Sequence, residues 1–307
     1  MTANRHLIDI QSLDDEAVGW LLSRAATIRS YPGPGLSGNR VANVFCEPST
    51  RTRISFQVAA ENLGMSVVTM DSDTTSLTKG ESLLDMAQTL QAMGVNFLVL
   101  RHPNGGAASE LVAGMTGPMH IINAGNGMCG HPSQALLDAL TLKQAGLEWR
   151  RSTVAIIGDI EHSRVARSNI ELLSRLDVND LRLAGPEGML PDPPPAGVTL
   201  CASLEEAVED ADAIMMLRVQ RERIDRDHWP NDRDYHEKWG LKPHHLEKAA
   251  PDCRVLHPGP VNRNVEIAPE VADGPHSLIL EQVHNGIAMR MALFEWLSKS
   301  LVKEVFQ

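Results

Sequence analysis

Four cysteines in 307 residues, at positions 46, 129, 201 and 253, are too few and too widely separated for a disulfide scaffold. None stands in the paired spacing of a zinc site or a CxxC redox motif, so reduced, structural thiols are expected. Long apolar runs are also missing. No stretch reaches the roughly 18 residues of a membrane span, and the opening MTANRHLIDIQSLDDEAVGW carries acids where a signal peptide needs an apolar segment. A cytoplasmic protein without a membrane partner is expected. Basic residues are outnumbered, 28 Lys and Arg against 39 Asp and Glu, for a formal charge of −11. That balance argues against a broad nucleic-acid footprint, although arginines concentrated in one cleft would still suit an anionic substrate. Internal repeats and low-complexity tracts are absent, and 43% hydrophobic, 22% charged and 4% aromatic residues exclude collagen-like and wholly disordered chains.

The length suits about two domains of roughly 150 residues. Ser12, followed by Leu13, Asp14 and Asp15, reads as the N-cap of an amphipathic helix through about Ser30, ended by the Pro/Gly stretch from Tyr31. Short apolar runs then alternate with helical patterns. They are VANVFC (41–46), SVVTMD (66–71), NFLVLRH (96–102) and HIINAG (120–125), then TVAIIGD (153–159), DLRLAGP (180–186), VTLCAS (198–203), AIMMLRV (213–219) and RVLHPGP (254–260). Runs of Val, Ile and Leu without polar alternation suit strands covered on both faces. The expected class is therefore α/β, two doubly wound domains with mostly parallel sheets flanked by helices. The division falls between Gly146 and Ser152, giving domains 1–146 and 147–284. LPDPPPAG (190–197) reads as an irregular connector, and the charged stretch 225–240 as a solvated loop or a lid.

Glu47-Pro-Ser-Thr-Arg-Thr-Arg53 stands at a strand-to-helix turn. With Ser49 as N-cap, the free amides of Thr50, Arg51 and Thr52 converge at the positive end of the helix dipole, and hydroxyls and a guanidinium add donors suited to phosphate. The same residues also suit an ordinary capped helix with solvent-facing arginines. The segment lacks the glycines and lysine of a Walker loop, which disfavours a nucleoside triphosphate. Arg101-His-Pro103 and His131-Pro-Ser-Gln134 follow later strands, where ligands gather in open α/β sheets; His131 is a hydrogen-bond donor there or a structural histidine. The polar loop 74–81, with Ser76 and Lys79, is a mobile arm over an anion or plain surface. Gly158-Asp-Ile-Glu-His-Ser-Arg164 lies where a dinucleotide fold would carry GxGxxG. Its missing glycines make NAD an improbable ligand. Arg164 and the segment Arg218-Val-Gln-Arg-Glu-Arg223 put cations at strand ends, suited to carboxylates.

Seven segments in order, FCEPSTRTR (45–53), SLTKGE (76–81), RHP (101–103), HPSQALLD (131–138), GDIEHSRVARS (158–168), RVQRER (218–223) and HPGPVNRNVEI (257–267), resemble the aspartate/ornithine carbamoyltransferase family over nearly the whole chain. The resemblance implies that Ser49, Thr50, Arg51, Thr52, Arg101, His131 and Gln134 bind carbamoyl phosphate, with Arg51, Thr52, Arg101 and His131 catalytic. Ser76 and Lys79 would reach in from a neighbouring subunit, Lys79 also meeting the second substrate. Arg164, Arg218 and Gln220 would hold the carboxylates of L-aspartate, and the backbone of Pro258 and Gly259 would orient the carbamoyl amide. Glu47, Arg164 and Arg223 would form ion pairs between domains, and a C-terminal helix, 285–307, would return to the first domain. RVQRER and HPGP follow the aspartate-type pattern, whereas ornithine-specific relatives carry an SMG-type loop and HCLP. The implied reaction makes N-carbamoyl-L-aspartate, an early step of pyrimidine synthesis, with no metal or other cofactor. A shared site implies a homotrimer, alone or in larger assemblies with dihydroorotase or regulatory chains. The alternatives are another acceptor amine such as ornithine, or a catalytically silent scaffold.

Overall fold

Apolar runs bounded by turn residues become short strands buried on both faces. The computed structural model describes residues 5–28, 35–71, 80–220 and 231–302. The chain divides into one unit of Met1–Leu140 with Val283–Gln307 and a second of Thr141–Gln282. In the first unit, β1 (Arg40–Phe45), β2 (Ser66–Asp71), β3 (Phe97–His102) and β4 (His120–Asn126) pair in parallel in the order β2-β1-β3-β4. All seven residues of β4 are buried, as a central layer between helices requires. The described helices of this unit include α1 (Asp15–Thr27), α2 (Thr50–Asn62), α3 (Leu83–Ala92), α4 (Ala107–Gly114) and the start of α5 (Pro132–Gln144).

The second unit repeats the plan. Strands β5 (Thr153–Ile157), β6 (Asp180–Ala184), β7 (Thr199–Leu200), β8 (Ala213–Met216) and β9 (Arg254–Leu256) form a parallel sheet in the order β7-β6-β5-β8-β9. Its helices include α6 (Arg164–Arg175), α7 (Leu204–Val208), α8 (Asp232–Trp239), α9 (Pro243–Leu246) and α10 (Pro269–Ala272). Every strand begins within one residue of its apolar run. Those of the second unit stop two to four residues before the run ends. The trailing residues, Gly158-Asp159 after β5 and Leu217 to Val219 after β8, leave the sheet as buried loops at its carboxyl edge.

The long helix α11 (Ile279–Val302) carries the chain back to the first unit. There Phe294 sits edge-on to Phe97 and Phe56, with centroid separations of 5.3 and 6.0 Å. Arg24 on α1 forks onto the Glu295 carboxylate, its Nη2 2.7 Å from Oε1, and the Arg5 guanidinium donates to the Trp296 carbonyl at 3.2 Å. Such edge-to-face rings add to the energy of apolar burial. Among the described residues, no helix is long and apolar enough to cross a membrane. The four cysteines are free thiols.

Two local expectations are corrected. Helix α1 is capped by Asp14, whose carboxylate accepts the Ala17 amide at 2.7 Å, and not by Ser12. Ser12 instead closes a turn with Asp9, accepting nothing from the helix and donating its hydroxyl to the Asp9 carbonyl at 2.7 Å. The helix ends at Thr27, whose hydroxyl donates back to the Arg24 carbonyl. The charged stretch 225–240 is not wholly loop, because its second half forms α8. Asn231 caps that helix, acids fill its first turn, His236 and Lys238 its last, and Tyr235 is wholly buried. The alternation of charges hid one inward-facing residue.

The segment at Arg5 and His6 is held by half-buried His6 and fully buried His120. His6 accepts the Ile121 amide on Nδ1 at 3.1 Å, which requires that nitrogen to be unprotonated, and the His120 ring contacts the Arg5 carbonyl at 2.8 Å while stacking on Phe97. Burial, reinforced by His120, pushes His6 down to about 4, and burial also lowers His120. Both therefore bind protons in the unfolded chain before they do so in the folded one. Stability from this pair is therefore fully present above about pH 6.5 and declines as pH falls from there toward 4, where His6 of the folded protein itself takes up a proton. A His6→Gln variant is expected to flatten the decline of urea midpoint between pH 6.5 and 4; an unchanged slope would contradict this. Phe294→Ala should lower stability by about 3–5 kcal/mol through the cavity it leaves, measured by urea denaturation at pH 7.5.

Candidate active site

Parallel strands joined by helices deliver every β-to-α loop to the same edge of a sheet. In the first unit the chain passes from β1 outward to β2, then back across to β3 on the other side. The crevice of this open sheet therefore lies at the carboxyl ends of β1 and β3. Glu47 and Ser49 to Thr52 leave β1, Arg101 lies near the end of β3, and His131 follows β4. Ser49 occupies the N-cap position of α2 in an extended conformation, yet its side chain makes no capping bond, and the first turn contains no acid. No acid of the first turn therefore offsets the positive potential around the amides of Thr50, Arg51 and Thr52.

Two contacts tie the loops together. Thr52, 7% exposed, places its hydroxyl 3.4 Å from Nε2 of buried His131. Arg101 has its Nε 3.4 Å from a Glu47 carboxylate oxygen, so the β1 and β3 loops share an ion pair. On the other side of the His131 ring, Nδ1 is 3.5 Å from the Ser133 hydroxyl. The turn from β4 to α5 depends on Gly127, which has φ +46° and donates its amide to the His102 carbonyl. A Cβ there would lie 2.6 Å from the Pro103 carbonyl oxygen, so no larger residue fits. Gln134, in the first turn of α5, donates its amide to Asp138 at 2.9 Å.

In the second unit the chain runs from β5 to β6 and β7, then crosses to β8, so the switch point lies between β5 and β8. Fully buried Asp159 spans it. One carboxylate oxygen accepts the Gln220 amide at 3.2 Å, and the other lies 2.7 Å from His162 Nδ1. Arg164 is the first residue of α6 and is buried, next to Ser163, whose hydroxyl caps the helix by accepting the Ala166 amide. Arg218 and Gln220 are half-buried at the end of β8. Beyond β9, Pro258 and Gly259 are held by a buried chain. The Gly259 amide donates to His257 Nδ1 at 2.8 Å, leaving Nε2 to donate to Glu266 Oε1 at 3.1 Å, and the same oxygen accepts the Asn262 amide. Burial raises the Tyr235 hydroxyl well above the usual phenol range, with Glu266 and Asp159 pushing the same way.

The site residues inferred from sequence thus fall on two sets of loops. Ser49, Thr50, Arg51, Thr52, Arg101, His131 and Gln134, with Glu47, border the crevice of the first unit. Arg164, Arg218, Gln220, Pro258 and Gly259 lie at the carboxyl edge of the second. Ser76, Lys79 and Arg223 lie outside the described residues. Sequence reading missed Asp159, Glu266 and His257 as supports. Asp159 left one signal, an acid directly after a buried run and three residues before a histidine. Glu266 left none, because its partner is nine residues away. Among the described residues, no cluster of His, Cys, Asp and Glu could hold a metal ion.

Residues 5–144 match the family model described as aspartate/ornithine carbamoyltransferase, carbamoyl-P binding domain, and residues 150–297 match that of its Asp/Orn binding domain. The chain belongs to the aspartate/ornithine carbamoyltransferase family. It is 44% identical over 302 residues to an aspartate carbamoyltransferase catalytic subunit of Stenotrophomonas maltophilia, covering 95% of this chain and 96% of that one. The same identity holds over 301 residues, with the same coverage, to the catalytic subunit of Xanthomonas axonopodis pv. citri. Among solved structures, ornithine carbamoyltransferase from Pyrococcus furiosus superposes with a TM-score of 0.85 at 25% identity. Aspartate transcarbamoylase from Trypanosoma cruzi, in complex with carbamoyl aspartate and phosphate, gives 0.82 at 28%. Each covers 95% of this chain and 96% of the other.

Carbamoyltransferases of both specificities therefore share this backbone. Asp159→Ala should leave the Gln220 amide and a His162 ring nitrogen without their acceptor. A loss of about 1–3 kcal/mol is expected in urea unfolding, since buried donors lose their partner. A wild-type midpoint would show that Asp159 does not anchor the loop after β8.

Proposed function

We propose that this carbamoyltransferase moves the carbamoyl group of carbamoyl phosphate to the amine of L-aspartate, giving N-carbamoyl-L-aspartate and phosphate. The observation that carries the reading is the donor-lined crevice at the ends of β1, β3 and β4, in a chain 44% identical to aspartate-type catalytic subunits. Carbamoyl phosphate is already an activated mixed anhydride. The protein's task is positioning and charge neutralisation. The amides of Thr50, Arg51 and Thr52, with the Ser49 hydroxyl and the Arg51 guanidinium, take the phosphate. Arg101, Thr52 and His131 stabilise negative charge on the carbonyl oxygen as the amine nitrogen attacks the carbonyl carbon. The tetrahedral intermediate expels phosphate by breaking the carbon–oxygen bond, and a phosphate oxygen accepts the amine proton.

The residues 1–146 with 285–307 form the carbamoyl-phosphate domain in this reading, and 147–284 the aspartate domain. Arg164, Arg218 and Gln220 recognise the aspartate carboxylates, and arginines there repel the ammonium of ornithine. Pro258 and Gly259 present backbone groups to the carbamoyl amide, and Glu47, Arg164 and Arg223 pair when the domains close. Ser76 and Lys79 complete the site of a neighbouring copy, which makes a C3 homotrimer the smallest active unit. A cytoplasmic setting belongs to the same reading, and dihydroorotase or regulatory chains are the candidate larger partners.

Product formation from carbamoyl phosphate, assayed with L-aspartate and L-ornithine in parallel, tests the reading. Aspartate-only turnover is expected, whereas ornithine-only turnover would overturn the assignment of Arg218 and Gln220. Arg51→Ala should lower kcat by about 10² or more, as loss of a preorganised charge contact does. Arg51→Ala and Lys79→Ala proteins, each inactive alone, should recover part of the activity when mixed and allowed to exchange subunits. No recovery would count against the shared site.

A further inference from the structure

Gln134 and Asp138 lie four residues apart on α5, one turn along the same face. Both are buried, Gln134 with 9% of its surface exposed and Asp138 with none. The Gln134 Nε2 donates to Asp138 Oδ1 at 2.9 Å. An ionised carboxylate has only acceptor sites, so this contact decides which end of the Gln134 amide is which. The nitrogen faces Asp138, and the carbonyl oxygen Oε1 is the end directed away from it.

Asp138 is coupled electrostatically to an arginine on α11. Arg290 on that helix is buried, 3% exposed, and lies over the Phe56 ring at 4.8 Å while donating to the Gly286 carbonyl. Burial pulls its guanidinium down to about 10, and the negative charge of Asp138 opposes that fall. The chain of dependence runs from the returning helix through Asp138 to the side-chain amide in the first turn of α5.

We propose that Asp138 is a positioning residue that locks Gln134 with its carbonyl oxygen toward the substrate, so that the site selects an acyl phosphate bearing N–H donors on its carbonyl carbon. The proposal rests on carbamoyl phosphate being the substrate. The carbamoyl NH2 and the acetyl CH3 are close in size, so shape alone separates carbamoyl phosphate from acetyl phosphate poorly. A fixed acceptor separates them well, because acetyl phosphate leaves a buried carbonyl oxygen without a donor. A freely rotating amide would lose that discrimination.

The test uses the full-length protein at saturating aspartate. It compares the KM for carbamoyl phosphate with the competitive Ki for acetyl phosphate. Acetyl phosphate should bind the wild type at least about tenfold more weakly. Asp138→Asn, which can both donate and accept, allows the amide to turn over; the ratio of Ki to KM should fall by about fivefold or more, through a higher KM for carbamoyl phosphate. The double variant Asp138→Asn with Arg290→Met removes both buried charges and should show the same fall without an unpaired guanidinium. A ratio unmoved in either folded variant overturns the proposal. So does a wild type that binds both acyl phosphates equally, a result independent of how the variants fold. Wild-type turnover with an unmoved ratio refutes the role of Asp138 alone. A wild type that neither binds nor uses carbamoyl phosphate refutes the functional reading and this proposal with it.

Discussion

Strand direction governs the functional edge of each unit. Because β1 to β4 run one way, and β5 to β9 run one way, each connecting loop that leaves a strand for a helix emerges at the carboxyl edge. Helices beginning there point their N-terminal amides toward the same edge, which makes it electropositive before any side chain is considered. The reversal of strand order then opens a crevice, at β1 and β3 in one unit and at β5 and β8 in the other. Ser49 to Thr52, Arg101 and His131 are distant in sequence, yet this geometry leaves them at adjoining strand ends.

Loops at such an edge need rigid supports if they are to hold a reacting group still. Buried carboxylates supply them. Asp159 fixes the start of the segment after β8, Glu266 fixes the turn at Gly259 through His257, and Asp138 fixes the Gln134 amide. Each is fully buried and each accepts from a specific partner. In a low-dielectric interior such bonds are strong when made and expensive to leave unmade, which favours the bonded conformation of each loop. The chain retains buried acids here, where an apolar core would pack more simply but would not orient a donor.

Backbone similarity does not separate the two acceptor amino acids. The TM-scores of 0.85 and 0.82 to an ornithine and an aspartate enzyme differ little, so the fold by itself does not choose between the two acceptors. In the reading proposed above, discrimination belongs to a few side chains beyond the end of β8, Arg218 and Gln220 among them. Function thus resides in residues placed on a shared fold.

Much of this was legible in the residues. Continuous Val, Ile and Leu runs foretold every strand start to within one residue, since a strand buried on both faces tolerates no polar alternation. The strand-to-helix turn at Glu47 to Arg53 was legible as a helix start, which the structure places at Thr50, and its hydroxyls, arginines and free amides suit an anion. Strand ends in the second unit were less legible, because buried loop residues such as Leu217 and Val219 are as apolar as the strand itself. The helix over Asp232–Trp239 was hidden among charges, and Tyr235 became a core residue only by facing inward. Sequence by itself determined the class, the order of elements and the residues with the chemistry to bind an anion, because these depend on local patterning. Only the tertiary structure decided that Glu47 pairs with Arg101, that Thr52 meets His131 and that Glu266 supports Gly259 through His257. Those contacts depend on which strands became neighbours, and strand order is set by long-range packing that no local window contains.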